Sequence, residues 1–239
     1  MLFGGWRYRP NSGTSDLSAS GWCLIALEAA RAAGLAVPES ARQDYMVLCR
    51  RCFNEKASAY TYEPGKSGFT NTTNAVGVLT TLLCKGGDCP VVRFGLRTIR
   101  RSLPCWEVEG SKGRYPFYYW YYASRAMYMA GGTYWKEWRA VICPMLLRHQ
   151  SEDGSWDANL DEEKVGVPYT TSLAILILQL CSGNPPAYLR GLELEVKNYP
   201  CPNLVDDIED LLRIAKRDRR SSEDLIRQIM ELIDLYRGE

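Results

Sequence analysis

The chain has 239 residues, 46% of them hydrophobic, enough to bury one sizeable core with at most a small appendage beside it. Lysine and arginine number 29 against 28 acidic residues, and no long basic block occurs, so charge gives no reason to expect a nucleic-acid partner. No apolar run approaches the ~20 residues of a membrane span. The longest, Leu173 to Leu180, reads as a buried helix, so no transmembrane segment is expected.

The first residues, MLFGGWRYRP, lack the basic-then-apolar pattern of a signal peptide and read as the middle of a repeat. Nine cysteines are scattered and odd in number, which favours a reducing, cytoplasmic setting. Cys49 and Cys52 lie about one helical turn apart, and Cys84 and Cys89 flank Lys85-Gly86-Gly87-Asp88. Zinc binding by these four is one reading. Small buried apolar residues on helices is the preferred one, so neither metal nor cofactor is expected.

In chain order, Gly5-Trp6-Arg7-Tyr8 precedes a turn and then a helix from Ser18, rich in alanine and leucine, that Gly34 stops. Pro38 opens a second helix with a charged outer face. The pattern recurs. Tyr60-Thr61-Tyr62 leads through a glycine turn into the helix TTNAVGVLTTLLC, followed by a Pro-led helix with four arginines, PVVRFGLRTIRRSL. Gly113-Arg114-Tyr115 leads into YYWYYASRAMYMAGG and then a charged helix from Trp135 to His149. Gly154-Ser155-Trp156 leads into YTTSLAILILQL. Helices starting near Ser18, Thr72, Phe117 and Thr170 are spaced by roughly fifty residues, within the range of helical-pair repeats. The first helix of each pair should be surrounded by protein, and the second should turn its arginines to solvent. A ring or solenoid of such pairs aims the inner-helix N-termini at one end of a central cavity, where a site is expected.

The stretch Arg148 to Trp156, RHQSEDGSW, punctuates the last pair. Gln150 is placed to bond loose carbonyls at the helix end, Asp153-Gly154 to make the turn, and Trp156 to cover it with apolar area. The Gln-x-x-x-Gly-x-Trp spacing of Gln150, Gly154 and Trp156 resembles the QW motif of the squalene cyclase and protein prenyltransferase superfamily. GGWRYRP with SDLSASGWCLIAL, and VPYTTSLAILILQL, resemble its repeats, over residues 1 to about 185. The resemblance implies an all-α fold, an α/α toroid of the terpenoid cyclase type. About four pairs are read here, fewer than such toroids usually close with, so a partial or open ring is expected over residues 1–200. Residues 201–239 read as an amphipathic helical hairpin, with Ser221 and Asp224 resembling a capping box. This hairpin packs on the last repeat or, through residues 203–239, docks a second copy of the chain.

The resemblance allows three chemistries to be checked. Cyclases start from an Asp-x-Asp-Asp acid at an inner-helix start, and the matching segment here, Gly13-Thr14-Ser15-Asp16, keeps only Asp16. An N-cap is the commoner use of a lone aspartate there. Prenyltransferases hold zinc with Asp, Cys and His, but the single histidine, His149, ends an outer helix, where the helix dipole favours it. The Cys-Gly-Glu-Gln motif of the superfamily's thioester proteins does not occur. The remaining candidate is the aromatic run Tyr115 to Tyr122, in which Tyr118, Tyr119, Trp120 and Tyr122 are candidate ligand contacts, joined by Trp6, Trp22 and Tyr169 from other repeats. Such rings stabilise cations, stack on sugars or hold an isoprenoid chain, or else they are packing residues. The acidic clusters Glu107 with Glu109 and Asp157 with Asp161 fall in expected loops and read as solvated charge, not a glycosidase pair.

These residues point to a protein that is non-catalytic in isolation and binds an apolar, isoprenoid-like ligand, a peptide or a partner protein in an aromatic cavity. The alternatives are the C-terminal part of a terpenoid cyclase, with Asp16 near the cation, and a structural scaffold whose ring is filled by its own side chains.

Overall fold

The computed structural model describes residues 4–85, 90–106, 115–157 and 166–190, with isolated positions between 208 and 230. The chain divides into two units, Met1–Tyr199 and Pro200–Glu239. In the second, Ile208, Leu212, Ser222, Glu223, Ile226, Arg227, Ile229 and Met230 are helical. Ser221 is exposed and lies outside the helical positions, and the rest of the expected hairpin, Asp224 included, lies outside the described residues.

The first unit is built of helices. They are α1 (Leu17–Ala32), α2 (Glu39–Cys52), α3 (Asn71–Lys85), α4 (Pro90–Arg101), α5 (Pro116–Ala130), α6 (Gly132–Arg148), α7 (Val167–Cys181) and the short α8 (Ala187–Arg190). Both ends of α1 follow from local chemistry. Asp16 holds an extended backbone and accepts the Ala19 N–H at 2.8 Å, as an N-cap does. At the other end Gly34 takes φ +82°, and the N–H groups of Gly34 and Leu35 donate to the carbonyls of Arg31 and Ala30, which closes the last turn as a Schellman motif.

Odd-numbered helices follow one another in space. α3 packs between α1 and α5, α5 packs on α7, and α8 returns to α1. The even-numbered helices lie on these pairs, α2 on α1 and α3, α4 on α3, and α6 on α5 and α7. A methyl group on Gly21, early in α1, would sit 2.7 Å from Val76, at the same height in α3. Ser18 of α1 likewise meets Tyr118 of α5 at 2.9 Å, both in a first turn. α1, α3 and α5 therefore run parallel, with their starts at one end. The core between the layers is apolar and fully buried, from Leu17, Leu24 and Leu48 through Val76, Leu79 and Leu82 to Trp138, Ile142 and Ile177.

Two features depart from the sequence reading. Between α2 and α3 a hairpin forms from β1 (Phe53–Asn54) and β2 (Ala59–Tyr60), with Phe53 opposite Tyr60. Strands of two residues leave no periodic signal to read. This hairpin presses the Tyr60 ring onto α3 at Gly77, where any Cβ would lie 2.1 Å from the ring. The second departure is α4. Its arginines were expected to face solvent, yet Arg97 is 5% exposed, with its guanidinium 4.7 Å from the Phe94 ring centroid. Arg100 donates to both Glu137 oxygens of α6 at 2.7 and 2.9 Å. An aromatic face and a carboxylate on the next outer helix replace water around these cations. Cys49 and Cys52 are buried, the former beside Thr81 at 3.3 Å, while Cys89 lies outside the described residues.

Candidate functional site

The segment Gly5–Ser15 runs into the start of α1 and is pinned there. Gly5, at φ +82°, approaches Leu48 and Ser20 so closely that a Cβ would lie 2.5 and 2.6 Å from them. The Trp6 N–H donates to Ser20 Oγ at 2.7 Å, Ser20 Oγ donates to the Trp6 carbonyl, and the Asp16 N–H reaches the same carbonyl at 3.2 Å. The pinned segment lines a hollow of about 780 Å³ in front of α1. Tyr8, 74% exposed, stands on its wall with Arg7 and Arg9.

Asp16 lies just behind this wall with no exposed surface. One oxygen caps α1. The other, Oδ2, has no hydrogen-bond partner, and Arg7 Nη1 stands 4.0 Å away. Arg7 is already committed to Glu63 at 2.6 Å. Burial pushes the Asp16 carboxyl above the usual carboxylate range, opposed by the Ala19 N–H and the Arg7 charge. The Tyr62 phenol sits close enough to favour the ionised form without bonding Oδ2, and its hydroxyl reaches Tyr8 at 3.4 Å. Burial raises the Tyr62 phenol too.

Beside Asp16 the first turns of α1 and α5 meet in an aromatic cluster. Tyr118 Oη takes the Trp22 indole N–H at 2.8 Å and lies 2.9 Å from Ser18 Oγ. Trp22 stacks on Tyr121, with centroids 5.1 Å apart, and meets Tyr122 edge-on at 5.6 Å. The Arg125 guanidinium lies 3.6 Å from the Tyr121 ring centroid, and its Nε donates to Tyr188 of α8 at 2.8 Å. Trp22 is 39% exposed while Tyr121, Tyr122 and Arg125 are buried. Burial raises the Tyr122 phenol well above its ordinary value, and its hydroxyl has no hydrogen-bond partner.

The expected aromatic residues thus divide. Trp22, Tyr118 and Tyr122 come together, and Trp6 lines the hollow. Tyr119 and Trp120 turn towards α4 and α6 instead. Tyr119 donates to the Ser102 carbonyl at 2.7 Å and meets Trp138 edge-on, and Trp120 stacks on Trp106. Successive helical residues point about 100° apart, so one run cannot place all its rings on one side. Tyr169 is partly buried against the core. His149, at the end of α6, stacks on Trp106 at 4.2 Å. Sequence reasoning missed Arg125 and Tyr188. The i, i+4 spacing of Tyr121 and Arg125 was a usable signal for the first, whereas Tyr188 comes from a one-turn helix.

Gln150, Gly154 and Trp156 meet at one turn, with their expected roles exchanged. Gln150 was expected to bond the helix end, but its amide donates to the Gly154 carbonyl at 2.9 Å and closes the turn. The helix-end carbonyl Leu146 O, which accepts the His149 N–H at 3.2 Å, is also taken by the Trp156 indole N–H at 2.8 Å. Thr171 Oγ1 accepts the Trp156 N–H, and Thr170 Oγ1 donates to its carbonyl at 2.6 Å, tying the motif to α7. An indole reaches the helix end because it is large and lies under the turn, while Gln150 sits on the exposed side.

Among the described residues no helix is long and apolar enough to cross a membrane, and no group of three or more His, Cys, Asp or Glu side chains could hold a metal. Asp157 is described and exposed, whereas Glu107, Glu109 and Asp161 lie outside the described residues. No family model, no curated protein and no solved structure matches the chain.

Proposed function

We propose that the chain is a squalene cyclase and prenyltransferase-like helical-pair protein, an open α/α toroid. In this reading it binds an apolar, isoprenoid-like ligand at the end where α1, α3 and α5 begin. The observation that carries this is the hollow walled by residues 5–15, next to the partly exposed Trp22 and its partner Tyr118. Support for the ring comes from the succession α1, α3, α5, α7 with even-numbered helices outside. Trp22 and Tyr118, whose indole N–H and hydroxyl are already bonded to each other, present apolar faces at little desolvation cost, which suits a binding role. Tryptophan fluorescence titrated with farnesol as probe tests the reading. Saturable quenching is expected, and Trp22→Ala should weaken binding by ~1–3 kcal/mol. Absence of any saturable response in the unaltered chain would leave the aromatic cluster as internal packing, the scaffold reading.

One observation favours a catalytic reading as well. Asp16 keeps an unbonded oxygen in a buried setting that holds on to its proton. A general acid needs that combination. Turnover of squalene, lost in Asp16→Asn, is the expected result if the chain acts as part of a terpenoid cyclase. Equal turnover in the variant removes Asp16 from the chemistry.

A further inference from the structure

Away from this site, α6 and α7 bring two thiols together. Cys143 of α6 and Cys181 of α7 are both free, and the Cys143 thiol lies close enough to help raise that of Cys181. Arg139, one turn before Cys143, donates its Nε to the Cys181 carbonyl at 3.1 Å, which fixes the register of the two helices at this point. The thiols differ in access. Cys181 is 4% exposed, while Cys143 is partly exposed at a surface hollow of about 520 Å³. Trp135, Lys136, Arg139, Ala140 and Pro144 complete most of that wall, and no carboxylate is among its residues. Pro144 lies inside α6 and has no N–H for the Ala140 carbonyl, which removes that acceptor's usual helical donor. The hollow therefore combines a reachable thiol, two cationic side chains, an indole and a backbone acceptor.

We propose that this hollow is a thiol-modification site for an anionic, peptide-like disulfide of the glutathione type, with Cys181 as the resolving thiol. In the first step the Cys143 thiolate attacks one sulfur of the disulfide. A bond forms between Cys143 Sγ and that sulfur, and one small thiolate leaves. In the second step Cys181, having given up its proton to solvent, attacks Cys143 Sγ, and the second small thiolate leaves as the α6–α7 disulfide forms. Overall two protein thiols are oxidised, one small disulfide is reduced to two thiols, and each leaving thiolate takes up one proton. Lys136 and Arg139 select for the carboxylates of the reagent. Burial pushes the Cys181 thiol up to about 12, so the second step is the slower one.

The test uses the full reduced chain and three reagents, glutathione disulfide, neutral hydroxyethyl disulfide and dicationic cystamine. Each rate is divided by that of the same reagent with a free thiol in solution. Peptide mapping by mass spectrometry should find the Cys143 adduct first and the Cys143–Cys181 disulfide later. The normalised rate at Cys143 should be about tenfold higher with glutathione disulfide than with cystamine at low salt. That gap should close at ~1 M salt, where charges are screened within a few ångströms. Cys181→Ser should stop at the mixed disulfide, and Cys143→Ser should leave Cys181 unmodified. Equal normalised rates for the three reagents at low salt would overturn the charge selection. A Cys143 adduct that never closes in the unaltered chain would overturn the role of Cys181. Because mapping of the unaltered chain carries the main result, a variant that fails to fold does not remove the test.

Discussion

Helix α1 carries a buried acid at each end, and the two are treated differently. Glu28, 2% exposed, has an arginine against each oxygen. Oε2 takes Arg31 at 2.8 and 3.0 Å, and Oε1 is ion-paired with Arg42 Nε at 2.8 Å without hydrogen-bond alignment. Arg42 also donates to the Leu83 and Cys84 carbonyls near the end of α3. Glu28 thereby joins α1, α2 and α3. Asp16, with no exposed surface, commits one oxygen to its own helix and leaves the other without a donor, its nearest cation already held by Glu63. A buried carboxylate with a cation against each oxygen is a joint. One bonded on a single side, behind an open hollow, keeps an acceptor without a donor.

The comparison breaks most clearly at Glu28. Its replacement by alanine takes the buried partner from Arg42 and leaves it the exposed Glu39, so a loss of ~1.5–3 kcal/mol is expected in urea unfolding, the scale of a hydrogen bond to a charged group. A loss below ~1 kcal/mol would mean that Glu28 is no more than a solvated charge. Asp16→Ala comes next. It removes a cap and only a distant ion pair, Arg7 at 4.0 Å, and about 1 kcal/mol should be lost in the same measurement. The smallest and most informative change is Asp16→Asn, because asparagine still caps the helix. The folded-state pKa of Asp16 is raised above the ordinary 3.8, so its proton is bound more tightly in the folded chain. The stability this contributes is present in full below pH 3.8 and is lost as pH rises through the folded-state value. Asparagine carries no such loss, so the variant should gain on the unaltered chain between acid and neutral pH. A stability difference that stays constant with pH would show that the carboxyl ionises normally, and Asp16 would then join Glu28 as a purely structural group.

Much of the helical order was legible in the sequence because it is written in local signals. Asp16 before an alanine- and leucine-rich run, and Gly34 after it, specify α1 from both ends. Pro116 opens α5, and the Gly154 turn separates α6 from α7. The candidate site was legible in part. Asp16 and Trp22 are there, yet Tyr119 and Trp120 went to the α4 and α6 side, since an unbroken aromatic run contains no period to say which ring faces which neighbour. Arg97 and Arg100 were misread for a related reason. An arginine face reads as solvent-facing until packing buries Arg97 against Phe94 of its own helix and a neighbouring helix supplies Glu137 to Arg100.

By itself, then, the sequence determined where helices start and stop, that they come in pairs, and that Gln150, Gly154 and Trp156 punctuate the last one. Caps, turns and propensities act over a few residues, and the chain carries them wherever it goes. Only the tertiary structure decided which groups within those elements are satisfied. It gave the helix carbonyl to Trp156 instead of Gln150, both Glu28 oxygens to arginines from two helices, and no donor to Asp16 Oδ2. Hydrogen bonds and ion pairs act over about 3–4 Å, so their partners are set by which distant residues packing brings within reach.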